Sequence, residues 1–242
     1  MEKKEFPYGE SVKFGWETFK KNTWYLIGIS IVYLIIQLIP NIIGLFYPES
    51  TEAEIIEISI SQIVQGGILV LAIFIVTLIL QVITNVGIMR ISIAYTNDLK
   101  PLFKDLFQGW DVFWKFIGCG ILVTLLVLGG LFLLIIPGII WAIKYSFAPY
   151  LVVEGVSPVE ALKKSGELTK GYKWDIFLFG LLVGLINVLG MFLFFVGILV
   201  ALPVTLIAYA YVYKKLKEFN NVSLASNLLE IDTPSIAEIE GE

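Results

Sequence analysis

Residues 176–213 read IFLFGLLVGLINVLGMFLFFVGILVALPVTLIAYAYVY, a stretch of 38 residues without a charged side chain. An α-helix rises about 1.5 Å per residue and the hydrocarbon core of a bilayer is roughly 30 Å thick, so about 20 apolar residues cross it once. The stretch is too long for one crossing and long enough for two. It predicts a helical hairpin of two membrane spans, 174–189 and 198–216, that reverses between Gly190 and Gly197.

Similar runs occur on the N-terminal side of this stretch. Residues 22–48 and 58–89 carry no charge and predict one span each, at 24–47 and 66–89. Between Lys115 and Glu154 lie 38 residues that are interrupted only by Lys144. That length predicts a second hairpin, with spans at 113–136 and 139–153, and Pro137-Gly138 is the expected turn because proline removes a backbone donor and glycine permits positive φ. The chain thus has six predicted spans.

The composition agrees with a membrane protein. Of the 242 residues, 57% are hydrophobic and 16% charged, against roughly 45–50% and about 25% in soluble globular proteins. The mean hydropathy is +0.85. The net charge is −4, and no long basic run offers a surface for nucleic acid. The fold class that follows is all-α, a polytopic membrane protein whose partner is the lipid bilayer.

The basic residues indicate the orientation of the six spans. With this span count, every lysine and arginine except Lys144 falls on one side of the membrane, and the loop on the other side carries Glu49, Glu52, Glu54 and Glu57. Basic residues concentrate on the cytoplasmic side of membrane proteins. Both termini are therefore expected in the cytoplasm, with residues 1–217 forming a single six-helix transmembrane domain and residues 218–242 an acidic, disordered cytoplasmic tail.

Three amphipathic segments precede the odd-numbered spans and are expected to lie as elbow helices in the headgroup plane of the cytoplasmic side. In the third, Ser157-Pro158-Val159-Glu160 matches a capping box with proline at the first helical position, and Lys163 and Lys164 follow. The first segment lies in residues 1–22, and its aromatic and aliphatic residues at helical spacing are Tyr8, Val12, Trp16 and Phe19. The corresponding residues of the second segment are Leu102, Phe103, Leu106, Phe107 and Trp110.

The region around these last features resembles a known group of proteins. Residues 136–155, IPGIIWAIKYSFAPYLVVEG, and residues 157–174, SPVEALKKSGELTKGYKW, look like the signature of YciC-type prokaryotic inner-membrane proteins and of the membrane domain fused to some glycerophosphodiester phosphodiesterases. The resemblance covers about forty residues clearly. It implies six spans in the plasma membrane of a prokaryote and no established activity, and the hydrolase activity of the fused enzymes does not carry over.

The residue inventory disfavours catalysis. Histidine is absent and Cys119 is the single cysteine, so Ser-His-Asp triads, Cys-His pairs and His or Cys zinc clusters cannot be built. No predicted span contains a carboxylate beyond its first two residues, where Asp175 stands, and this disfavours a proton or sodium relay. We expect no enzymatic activity, no cofactor and no metal site.

The candidate site comes from the polar residues inside the spans, which are Gln37, Asn41, Gln81, Asn85, Lys144 and Asn187. Its members are Lys144 and the amides Gln81, Asn85 and Asn187. Lys144 lies ten residues before Glu154, about 15 Å along one continuous helix, which places its ammonium near mid-membrane unless the side chain snorkels to the surface. Such a lysine would need those amides, or an anionic lipid or substrate, as a partner.

Three classes of function remain open at this point. The first is a non-catalytic membrane module that organises lipid, anionic lipid included, or a partner membrane protein. The second is a transporter or channel for a small molecule or lipid, with a site near Lys144. The third, an intramembrane enzyme, would need an unusual mechanism based on Lys, Asp or Ser.

Overall fold

A computed structural model of the protein describes residues 5–46 and 60–232. Within these ranges the chain is helical and contains no strand. The acidic loop predicted around Glu49 lies outside the described residues. The helices are α1 Tyr8–Lys21, α2 Thr23–Phe46, α3 Ile60–Thr96, α4 Phe113–Leu133, α5 Ile135–Lys144, α6 Ala148–Val153, α7 Pro158–Leu168, α8 Lys173–Phe192 and α9 Phe194–Asp232.

Six helical segments in the described part of the chain are long and apolar enough to cross a membrane, which confirms the predicted class and the number of spans. Their apolar surfaces face outward, as Phe132 at 94% exposure and Leu125 at 62% illustrate. Such surface is expected where lipid, rather than water, is the solvent. The six segments are Thr23–Pro40, Gly67–Thr96, Phe103–Leu133, Ile135–Val153, Lys173–Phe192 and Val196–Asn221.

The last hairpin reverses where the sequence predicts. α8 ends at Phe192 and α9 begins at Phe194, inside the expected interval. Gly190 and Gly197 face each other across the turn, and a Cβ on Gly197 would overlap the Gly190 carbonyl oxygen. The two glycines therefore let the helices approach closely at the reversal.

The turn of the other hairpin was placed wrongly. α4 and α5 are separated by Leu134, whose backbone is extended at φ −166° and ψ 153°, whereas Pro137 and Gly138 lie in the first turn of α5. Proline is tolerated there because the first amides of a helix have no intrahelical partner. Gly138 serves close packing instead, since its Cα would lie 2.9 Å from a Cβ on Gly130.

The fourth span is not one continuous helix. α5 ends at Lys144, and α6 begins at Ala148 after a turn through Tyr145, Ser146 and Phe147. Pro149 stands in the first turn of α6, a position where its missing amide costs nothing. The break changes the depth expected for Lys144, because a distance counted along a single helix no longer applies.

α9 is the helix against which most of the bundle packs. It contacts α1, α2, α3, α7 and α8. Its residues Ile207, Ala208, Ala210, Val212 and Tyr213 are at most 1% exposed. α9 also continues through Asp232, so the described part of the predicted disordered tail is helical; residues 233–242 lie outside the description.

The three amphipathic segments differ from one another in their structure. α1 is a helix as predicted, but its buried residues are Ser11, Gly15, Thr18 and Phe19. A Cβ on Gly15 would overlap the carbonyl oxygen of Val204, so α1 packs closely against α9. The second segment forms two short 3₁₀ turns, Phe103–Phe107 and Trp110–Val112, rather than an α-helix.

The third segment forms α7, but without the predicted capping box. Ser157 occupies the N-cap position and its side chain makes no capping hydrogen bond. Glu160 pairs with Lys164 at 2.8 Å instead, and this hydrogen bond lowers the pKa of the Glu160 carboxyl. The i,i+4 ion pair competes for the carboxylate that a capping box requires.

Candidate functional site

One end of the helix bundle collects the basic residues. Lys115 Nζ donates to the Gly155 carbonyl at 2.9 Å, and Lys217 Nζ lies 2.6 Å from Glu154. Lys214 donates to the Thr96 carbonyl. These contacts bring the ends of α3, α4 and α6 and the middle of α9 to one side, which we call the lysine-bearing end.

Lys144 also reaches toward this end. Its side chain lies across α7, where a Cβ on Gly166 would come within 2.8 Å of Lys144 Cε. Its carbonyl accepts hydrogen bonds from the buried hydroxyls of Ser165, at 2.8 Å, and Thr169, at 3.4 Å. Contacts with α7 therefore hold both the backbone and the side chain of Lys144.

The Lys144 ammonium, which is predicted near mid-membrane unless the side chain snorkels, lies beside an aromatic ring. Its Nζ lies 5.1 Å from the ring centroid of Tyr145, within reach of a cation–π contact. The chain breaks directly after Lys144, and α7 folds back over it. Snorkelling, in which a long lysine side chain extends from the apolar interior toward a polar surface, stays a prediction.

A cavity of about 280 Å³ opens beside Lys144 and α7. Two ammonium groups belong to residues of its wall, those of Lys144 and Lys163, against one carboxylate, that of Glu167. The volume is just below the range of about 300–1,000 Å³ that is typical of small-molecule pockets. The remaining wall is formed by Tyr145, Leu162 and Gly166. We call this the Lys144 cavity.

The amides predicted as partners of Lys144 are used elsewhere. Asn85 accepts a hydrogen bond of 3.0 Å from the Tyr33 hydroxyl, which links α3 to α2. Its amide nitrogen donates to the Gln81 carbonyl at 2.7 Å. Asn85 thus belongs to the α2–α3 contact, and Gln81, one helical turn earlier on α3, accepts through its backbone carbonyl.

Asn187 belongs to a third location. Its amide nitrogen donates to the Val183 carbonyl at 2.9 Å and lies 3.3 Å from the Thr205 hydroxyl of α9. Interhelical amide bonds of this kind contribute roughly 0.6 kcal/mol each. The four predicted site residues therefore form three separate contacts rather than one site.

The residues at the end of α7 that contact Lys144 were missed as site residues by the sequence reasoning. Ser165 and Thr169 are buried, and Gly166 leaves room for the lysine. The 165–169 spacing of the two hydroxyls places them on one helical face, which is a weak signal by itself. Only the tertiary structure shows that the hydroxyls on that face bind the Lys144 carbonyl at the end of α5.

Three tryptophans stand at the starts of the odd-numbered spans. Trp24, Trp114 and Trp174 are 88%, 79% and 75% exposed. All three lie next to the lysine-bearing end, where α2, α4 and α8 begin. Exposed tryptophan at this position is typical of the interface between lipid and water.

Neither the inventory of metal-binding side chains nor comparison with other proteins adds a site. In residues 5–46 and 60–232, no group of three or more His, Cys, Asp and Glu side chains could hold a metal ion. Cys119, at 1% exposure, is buried in α4. Comparison of the chain with protein-family models, curated proteins and solved structures finds no match in any of the three.

Proposed function

We propose that the protein is a non-catalytic multi-pass membrane protein that organises anionic lipid on the cytoplasmic face of a prokaryotic plasma membrane. The observation that carries the proposal is the Lys144 cavity, where the residues of the wall bring two ammonium groups and one carboxylate together. An anionic headgroup supplies the charge that this arrangement favours. The resemblance to YciC-type membrane proteins forms part of the proposal.

The proposed ligand is a lipid headgroup because of where the cavity opens. Its walls come from the end of α5, from Tyr145 and from α7, which follows the lysine-bearing end of α6. By the positive-inside rule this end is cytoplasmic. The tryptophans at the same end supply the aromatic belt that fixes the depth of the bundle relative to the headgroups.

A charge-matched pair of double variants tests the proposal. Lys144→Met with Lys163→Met removes both ammonium groups of the Lys144 cavity. Lys164→Met with Lys170→Met removes the same charge from α7 and the residues after it, outside the cavity wall. The melting temperature of each protein is measured in detergent with added phosphatidylglycerol or phosphatidylcholine.

Phosphatidylglycerol should raise the melting temperature of the wild type and of the Lys164/Lys170 variant, and should raise that of the Lys144/Lys163 variant much less. Lipid at about 100 times its dissociation constant stabilises the folded protein by about 2.7 kcal/mol. In a chain of this size that raises the melting temperature by roughly 5–10 °C. Equal shifts in all three proteins would overturn the proposal. An equal response to phosphatidylcholine would also overturn it, because the proposed binding depends on the negative charge of the lipid headgroup.

Gly166→Val provides a variant that keeps every charge. The added side chain meets the far end of Lys144, which is flexible and can move away at little cost in stability. The ammonium should leave its place over α7, and the phosphatidylglycerol shift should fall while the melting temperature without lipid stays within about 2 °C. An unchanged lipid shift would show that the position of Lys144 is irrelevant to binding.

A transporter or channel with a site near Lys144 is the alternative. It would place the cavity on a path between spans, whereas the walls of the Lys144 cavity belong to the end of α5 and to α7. Flux of a labelled anion into proteoliposomes that depends on Lys144 would favour the alternative. Lipid-dependent stabilisation without flux supports the organising role.

A further inference from the structure

Three segments that are not spans pack among the spans near the lysine-bearing end. They are α1, the residues 103–112 that form the two 3₁₀ turns, and α7, and we call them the added segments. α1 contacts α9, the first 3₁₀ turn contacts α3, and α7 contacts α4 and α6. The added segments therefore enlarge the bundle at this end.

The depth of two added segments follows from their close contacts with the spans. Lys214 of α9 donates to the Thr96 carbonyl of α3, so these two residues mark one level at the lysine-bearing end. α1 packs through Gly15 against Val204, and the first 3₁₀ turn packs against Gly87. These contact points are ten residues along α9 and nine along α3 from the marked level, which is roughly 13–15 Å. One leaflet of a hydrocarbon core is about 15 Å thick, so both segments reach into the leaflet at this end.

The outward faces of these two segments combine exposed aromatic side chains with lysines. Trp16 is exposed on α1, and Phe103 and Trp110 are exposed on the 3₁₀ turns. Lys20 Nζ lies 6.0 Å from the Trp16 ring centroid, and the exposed Lys104 directly follows Phe103. Aromatic side chains among lysines are typical of segments that insert at the boundary between headgroups and acyl chains. These faces therefore fit insertion among lipids.

The far end of the bundle has no added segment among the described residues. The α4–α5 and α8–α9 hairpins each reverse there within one residue, Leu134 and Leu193. Along α8 no large side chain beyond Val183 is buried. On α3 no apolar side chain from position 67 to position 82 is buried, and the buried ones begin at Ile83. The packed core of the protein thus lies toward the lysine-bearing end.

The two ends of the bundle therefore differ in cross-section. A helix with its side chains is about 10–12 Å wide, so each helix that crosses a leaflet covers on the order of 100 Å². The three added segments together add roughly half as much area as the six spans. A body that is wider in one leaflet than in the other has the shape of a wedge.

We propose that the protein prefers bilayers that are convex on the side of the lysine-bearing end, because its added segments act as a wedge in that leaflet. Convex bending moves the headgroups of that leaflet apart, and the added segments fill the space between them. Insertion of amphipathic segments at this depth depends on membrane curvature. The preference rests on shape and on inserted aromatic side chains, so it requires no anionic lipid and does not depend on the Lys144 cavity.

Narrow tubes pulled from giant vesicles of phosphatidylcholine alone test the proposal. The full-length protein with Cys119→Ala and Lys170→Cys is reconstituted in two samples, since Lys170 is exposed. In the first, an impermeant fluorescent maleimide added outside labels only protein whose lysine-bearing end faces outward. In the second, the cysteine carries a dithionite-sensitive dye before reconstitution, and external dithionite leaves only inward-facing protein visible.

The outer leaflet of a tube is convex, so the two orientations should respond in opposite directions. Outward-facing protein should be enriched in the tube relative to the flat membrane, and inward-facing protein should be depleted. The expected enrichment is roughly twofold, which corresponds to about 0.4 kcal/mol. Both orientations share the chain, the lipid and the labelled position, so each is the control for the other.

Two double variants locate the wedge. Phe103→Ser with Trp110→Ser removes exposed aromatic side chains from an added segment, and Phe132→Ser with Phe192→Ser removes them from the far end of the hairpins. Neither pair changes the charge. The first pair should bring the density of outward-facing protein in the tube close to that in the flat membrane, and the second should keep the enrichment. Melting temperatures in detergent verify that both variants are folded.

Four results would overturn the proposal. They are equal densities in tube and flat membrane, enrichment of the inward-facing protein, equal enrichment of both orientations, and the same enrichment in the two double variants. Sorting that appears only when phosphatidylglycerol is added would assign the effect to charge and would also overturn it. The lipid response of the Lys144 cavity is read from melting temperatures, so failure of one proposal does not imply failure of the other.

Discussion

At the scale of single residues, Gly87 shows how little room the packing leaves. It lies in α3, and a Cβ there would overlap the backbone of Leu106, which is completely buried. Arg90, one turn further along α3, donates to the Gln108 carbonyl and pairs with Asp111 at 2.6 Å. A glycine and an arginine on one helix thus hold the segment between α3 and α4.

Gly87→Ala should destabilise the protein because the obstacle is backbone and cannot rotate away. Overpacking costs about 1–3 kcal/mol, which lowers the melting temperature by roughly 2–4 °C per kcal/mol in a chain of this size. Gly28→Ala in α2 is the control, since its Cβ would meet nothing within 4 Å, and alanine favours a helix. Equal melting temperatures of the two variants in detergent would contradict this packing of Leu106.

At the scale of the element, α7 is held by its middle rather than by its start. Ser157 makes no capping bond, whereas Ser165 is completely buried and its hydroxyl donates to the Lys144 carbonyl at 2.8 Å. The helix therefore depends on its contact with the end of α5. Its exposed ion pair between Glu160 and Lys164 contributes little by comparison.

Two alanine substitutions separate these contributions. Ser157→Ala should change the free energy of unfolding by no more than about 0.5 kcal/mol. Ser165→Ala should cost about 1–2 kcal/mol, because one donor to the Lys144 carbonyl is lost inside the protein. Denaturation of the two variants in the same detergent measures the difference; a larger effect at Ser157 would restore the capping box.

At the scale of the whole molecule, the topology that we predict places the lysine-bearing end in the cytoplasm. The Tyr8 hydroxyl donates a hydrogen bond of 2.8 Å to Asp175. Burial, the larger cause, and this hydrogen bond together raise the pKa of Tyr8 to about 12. Together with Lys115, Lys214 and Lys217, this contact joins the N-terminal segment, α8 and α9 at one end. A chain that enters and leaves the bundle at the same end must cross the membrane an even number of times.

Single cysteines in a protein with Cys119 replaced by alanine test the orientation. An impermeant thiol reagent applied to intact cells should label Ser50→Cys and should leave Lys104→Cys and Lys170→Cys unlabelled until the cells are opened. Lys170 is a suitable probe because it is exposed and directly follows α7 and its C-cap Thr169. Labelling of position 170 from outside would disprove the cytoplasmic assignment of α7.

The number of spans and their approximate limits could be read from the sequence. Each crossing requires about 20 apolar residues whose backbone groups are hydrogen-bonded within the helix. Each crossing is therefore visible in the sequence as a run of residues without charge. The reversal between Gly190 and Gly197 was predictable for the same reason. The asymmetry of the lysines is equally local, because it depends only on which loop carries them.

Only the tertiary structure decided how the polar residues are partnered. Lys144 and Gly166 meet because the chain breaks after α5 and α7 folds back, and no periodicity encodes that contact. Pro137 indicated a turn by its chemistry, yet the first turn of a helix accepts proline equally well, so the reversal could move to Leu134. Span positions follow from the solvent, whereas partners follow from the packing of segments distant in the sequence.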